Sequence, residues 1–116
     1  MSRTSFHLVV AVLLVVLGFG LTAFTHGSAV AADAPVSEVK LDNFTMSPKT
    51  LTVAVGTTVR WTNADDIPHT VVSEDRTFKS KVMDTDEHFT FAFIKAGTYK
   101  YFCSIHPHMT GTVIVK

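Results

Sequence analysis

Tyr99-Lys100-Tyr101-Phe102-Cys103-Ser104-Ile105-His106-Pro107-His108-Met109 runs from a strand-like stretch into a loop crowded with soft ligands, and the rest of the chain reads outward from it. The loop carries the only cysteine of the 116 residues. Cys103, His106 and Met109 stand three apart. A thiolate, an imidazole and a thioether on one short loop favour copper, and His₂Cys with a weak axial Met is the donor set of a one-electron copper site. The loop supplies three of those four donors, so a second His must come from elsewhere. Pro68-His69-Thr70 offers it, because His69 follows a rigid proline and opens an apolar stretch. His108 competes with His106 within the loop, but lies further from Cys103 and is expected to face solvent near the site. His88 is expected to face water, opposite Phe89 and Phe91. Taken alone, Cys103 also fits a small buried hydrophobe and Met109 a core gap-filler. Core packing, however, does not call for His and Met at +3 and +6 on a loop.

Upstream, the chain reads as β. Glu38 to Leu41 alternates polar and apolar residues, Phe44 and Met46 continue an apolar face, and Leu51 to Val55 alternates again. Thr58 to Asn63 puts Val59 and Trp61 on one face. His69 to Ser73 reads as a further short strand. Phe89, Phe91 and Phe93 recur at period two. Thr98 to Cys103 faces Tyr99, Tyr101 and Cys103 one way and Phe102 the other, and Gly111 to Lys116 closes with Val113 and Val115 inward. Short strands punctuated about every ten residues imply an all-β antiparallel sandwich or barrel. The two-faced aromatic strands favour the sandwich.

The N-terminus reads differently. Met1 to Arg3 is basic, Leu8 to Leu21 is almost unbroken apolar sequence, and Ala29-Val30-Ala31 is a small-x-small cleavage pattern. Residues 1–31 are therefore expected to be a signal peptide, 32–37 a short flexible leader and 38–116 a single domain. Cleavage leaves 85 residues, with nine basic against ten acidic side chains. That balance shows neither a nucleic-acid footprint nor a polybasic membrane patch. No stable membrane insertion is expected after cleavage, and the expected location is periplasmic. A lone exported thiol cannot form an internal disulfide, so ligation accounts for it best.

Gly97 to Gly111 resembles the copper loop of plastocyanin/azurin-type cupredoxins. Its Cys-x₂-His-x₂-Met spacing is most similar to amicyanin, and Val55 to Asn63 followed by Pro68-His69 matches the family's upstream half. The resemblance implies an eight-stranded Greek-key β-sandwich and one copper ion held by His69, Cys103, His106 and Met109. It also implies single-electron traffic between periplasmic redox proteins. Donor and acceptor are then expected to dock near His106, Pro107 and His108 on a monomer. Phe44, Met46 and the Tyr101 strand are expected to keep water from the metal. The chain departs from the family at Thr70, where amicyanin and plastocyanin usually have Asn. The Thr70 N–H still has the reach to meet the thiolate, but the side-chain bond across the loops differs, so the family's potential does not carry over. A copper-handling protein of the same fold is the alternative, although its extra Met and His ligands are scarce here. An enzyme needs a second metal site or a substrate pocket beyond this one ligand set, so none is expected.

Overall fold

The computed structural model describes residues 34–116, together with Gly20. The expected signal peptide and the start of the leader otherwise lie outside the described residues. Among those described, eight strands form and no helix, hence none long and apolar enough to cross a membrane. They are β1 (Val36–Asp42), β2 (Thr45–Ser47), β3 (Thr50–Val53), β4 (Thr57–Asn63), β5 (Val72–Ser73), β6 (His88–Phe93), β7 (Gly97–Phe102) and β8 (Thr110–Val115). Two four-stranded sheets, ordered β2-β1-β4-β6 and β3-β8-β7-β5, make the all-β sandwich expected from the alternation.

The pairing corrects three expectations. The sheets are mixed: β1 runs parallel to β4 and β3 parallel to β8. Alternation within a strand records which face is buried and carries no information on the direction of its neighbour. β1 also starts at Val36, inside the stretch read as leader, because Val36 and Ser37 pair with Thr58 and Val59. Finally, the strand read over His69 to Ser73 shrinks to Val72–Ser73. His69 makes only an isolated bridge to Met83, and Val72 one to Lys79.

The core is aromatic. Trp61 is fully buried from β4, with Phe78 at 5.3 Å, Phe89 at 5.6 Å and Tyr101 edge-on at 5.5 Å between ring centroids. Edge-to-face and offset packing of this kind adds to what area burial alone supplies. Val39, Leu41 and Val59 fill one inner face, and Val113 and Val115 the other. Of the period-two phenylalanines only Phe93 is fully inside; Phe89 and Phe91 on the edge strand β6 are partly covered.

Gly111 pairs with Tyr101 across β7 and β8, and the Tyr101 ring lies directly over it. A Cβ at Gly111 would overlap the ring and its hydroxyl. Gly111→Ala is therefore expected to destabilise the protein by about 1–3 kcal/mol, the range for overpacking. A fall in the denaturant midpoint at unchanged slope measures it.

Candidate metal centre

The loop from Cys103 to Met109 hangs between β7 and β8, whose last pair is Phe102 with Thr110. Just beyond that pair the Cys103 N–H donates to the Met109 carbonyl at 3.0 Å. The Met109 N–H in turn donates to the His106 carbonyl at 2.9 Å. Two hydrogen bonds and the register of two core strands thus fix a short excursion whose ends cannot drift. Cys103 and Met109 are buried at its base, His106 is half-buried, and Ile105, Pro107 and His108 are exposed at its tip.

His69 arrives on the connection between β4 and β5. β4 ends at Asn63, a fully buried side chain that donates to the carbonyls of Ile67 and Met83, both at 2.9 Å, and accepts the Asp65 N–H. One amide therefore shapes the loop that carries Pro68 and ties it to the neighbouring segment. His69 and Met83 then exchange backbone hydrogen bonds at 3.1 and 2.8 Å.

The fully buried ring of His69 has its Nε2 2.6 Å from the Asp65 carboxylate. An ionised carboxylate only accepts, so Nε2 carries a proton toward Asp65 and Nδ1 is turned toward the sulfur. That Nδ1 lies 3.8 Å from the Cys103 sulfur, and the His106 Nδ1 lies 3.7 Å from it. The donor atoms of His69, Cys103 and His106 all fall within 4.8 Å of one another. Among the described residues this is the only such cluster of three or more. The structure thus brings His69 together with the Cys103 and His106 of the loop, where Met109 is also buried. His88 and His108 are exposed, as read from the sequence.

Two features lie behind the ligands, the first missed by the sequence reading and the second left open by it. Asp65 is nine-tenths buried and accepts more than the His69 proton. Its carboxylate also takes the N–H groups of Asn43 at 2.7 Å and Phe44 at 3.2 Å. Both residues have positive φ, 49° and 57°, a conformation uncommon for Asn and strained for Phe. The turn they form stands Phe44 edge-on to the rings of His106, at 5.1 Å, and His69, at 5.8 Å. Phe44 was expected to wall the metal from water; it does touch both imidazoles, yet half of it stays exposed, while Met46 is inside. The clue was a carboxylate four residues before a candidate ligand His, since ligating imidazoles need their second nitrogen held. The second feature is the Thr70 hydroxyl, which meets Ser104 across the loops.

Charge follows from these contacts. Burial alone would push the Cys103 thiol up. The N–H of Thr70 at 3.3 Å, the His69 ring, the Ile105 backbone and His106 outweigh it and bring the thiol from 9.0 down to about 6. Burial likewise works against the Asp65 anion, but the proton of His69 and the N–H groups of Asn43 and Phe44 hold it below the usual carboxylate range. The site therefore gathers a thiol whose anion its neighbours favour and the Nδ1 atoms of two imidazoles. That donor set fits a copper ion and matches no hard-cation site, which would need oxygen ligands.

Comparison with known proteins agrees with this chemistry. The family model described as a cupredoxin-like domain matches residues 10–115. Amicyanin of Paracoccus versutus is 36% identical over 104 residues, covering 83% of this chain and 78% of that one. A purple cupredoxin from Nitrosopumilus maritimus superposes with a TM-score of 0.67 at 35% identity, over 69% of this chain and 99% of that one. A copper-containing nitrite reductase from Thermus scotoductus matches with a TM-score of 0.65 at 34% identity, over 71% of this chain but only 22% of its own.

Two outcomes are expected. In the metal-free protein the ultraviolet thiolate absorbance titrates near pH 6. The unfolded chain still binds that proton up to about pH 9, so stability rises with pH between the two values and is lost as pH falls through 6. Denaturant midpoints across this range test the sign. Separately, Asp65→Asn is expected to weaken metal binding by about 10–100-fold, read by chelator competition.

Proposed function

The chain belongs to the cupredoxin family, and on that premise we propose that it is an exported one-copper protein carrying single electrons between periplasmic redox partners. His69 Nδ1, Cys103 Sγ and His106 Nδ1 would hold the ion, with the Met109 thioether as fourth donor. The observation that carries this reading is the convergence of two imidazoles and a low-pKa thiol, from two distant segments of the chain. Bound copper supplies a one-electron couple between Cu(I) and Cu(II).

The chain's own residues do the rest. Asp65 fixes the His69 tautomer, and the β7–β8 register fixes Cys103 and Met109, so the donors are held before any metal arrives. Donors that keep their places in both oxidation states leave little to rearrange when an electron moves. Asn63 shapes the loop that brings His69 in. His106 is the ligand that reaches the surface, and Ile105, Pro107, His108 and Phe44 surround its edge with exposed, mostly apolar area. This is where donor and acceptor would dock, one at a time, on a monomer. Catalysis is not part of the proposal, because the function needs only the one ligand set.

The copper-loaded protein should show an intense visible thiolate-to-Cu(II) band that bleaches and returns reversibly with one electron per chain. Cys103→Ser should abolish the band while leaving the fold intact by circular dichroism. A properly loaded wild-type sample without the band, or one that cannot be cycled, would sink the reading.

A further inference from the structure

Three of the four expected ligands are closed to solvent. Cys103 and His69 are fully buried and Met109 is 2% exposed, so an ion arriving from outside needs a way in. A cavity of about 250 Å³ reaches one of them, its walls including Phe44, Met46, Lys49, His108 and Met109. Met46 lies on β2, which packs against β8, and Met109 immediately precedes β8, so two buried thioethers share this wall. His108 and Lys49, both exposed, form the mouth. Neither Met46 nor His108 is a ligand of the centre described above.

We propose that this cavity is the port by which Cu(I) enters, with the His108 imidazole and the Met46 thioether as capturing donors and Met109 common to the port and the final site. The inference deepens the copper reading above and rests on it. Imidazole and thioether are soft enough for Cu(I), and no carboxylate lines the cavity to hold a hard cation. Thioethers are neutral, weak ligands, which suits an entry point: capture stays reversible, and the donor further in wins. That donor is Cys103, whose anion its neighbours favour. On transfer the copper remains Cu(I), no electron moves, and the Cys103 proton leaves to solvent as the thiolate replaces a thioether. Met109 belongs to both donor sets and keeps the ion tethered during the exchange.

Lys49 indicates the kind of delivery that fits. It is in none of the ion pairs among the described residues, and its ammonium at the mouth repels a free cation. The port therefore suits copper surrendered donor by donor from another ligand, rather than ions drawn in by charge.

The test is the rate at which the metal-free protein takes up Cu(I), supplied without oxygen as its acetonitrile complex and followed by the ultraviolet thiolate–Cu(I) absorbance. Met46→Leu, a volume-conserving change, and His108→Gln should each slow uptake about tenfold and still reach the wild-type final absorbance. Lys49→Gln should speed uptake about twofold at low salt, with the gain lost at high salt. A wild-type rate in Met46→Leu or His108→Gln overturns the port, as does an unchanged or slower rate in Lys49→Gln. A reduced final absorbance overturns it too, because it marks damage to the final site rather than to entry. Should Met46→Leu not fold, the two surface changes decide by the same readout. Wild-type protein that takes up Cu(I) without any thiolate absorbance overturns the copper reading itself, so the two failures are distinguishable.

Discussion

A thiolate inside an apolar sandwich is the constraint to which the rest of this structure answers. An isolated buried anion costs far more than a small domain can spare, and it is tolerated only where donors or a cation compensate it. Cys103 is fully buried, yet its pKa lies below the ordinary value because backbone N–H groups and two imidazoles converge on the sulfur. None of these groups is local except those on its own loop. The site therefore exists only while the His69 segment and the β7–β8 loop stay held against each other.

The same economy appears one step further out. Asp65 is a second buried anion, and it too is compensated rather than exposed. Its carboxylate joins two things that need holding, the imidazole of His69 and the left-handed turn at Asn43 and Phe44. Backbone strain at such a turn persists only where the surroundings over-determine it. Here two N–H groups on one carboxylate do so, and the result is an aromatic ring standing against both ligand imidazoles. Asp65 thus links the geometry of the ligand to that of the exposed rim.

The behaviour of this protein as an electron carrier would rest on rigidity rather than on motion. Strand pairing closes the loop at Phe102 and Thr110, the Cys103 and Met109 backbones are bonded to each other, and Thr70 and Ser104 stitch the loop to the opposite segment. Each contact is modest, about 1 kcal/mol net for an ordinary hydrogen bond. Acting together on a loop this short, they leave the donor atoms little freedom.

Sequence alone determined the fold class and three of the four candidate ligands, because both are local, whereas His69 had to be sought elsewhere in the chain. Alternation at period two records which side of a strand is buried, as at Phe93, Tyr99 and Tyr101, and a Cys-x₂-His-x₂-Met loop declares its chemistry within seven residues. The parallel partners of β1 and β3 were not legible, since side-chain periodicity is blind to the direction of a neighbouring strand. Nor was the truncation of the strand expected from His69 to Ser73, where the apolar run serves burial without a continuous ladder. Asp65 looked like any loop carboxylate, and Thr70 was marked only as a departure whose bond across the loops was left open. Only the tertiary structure decided that one grips a ligand imidazole and the other meets the thiolate, because those contacts join segments that chain proximity does not bring together or aim.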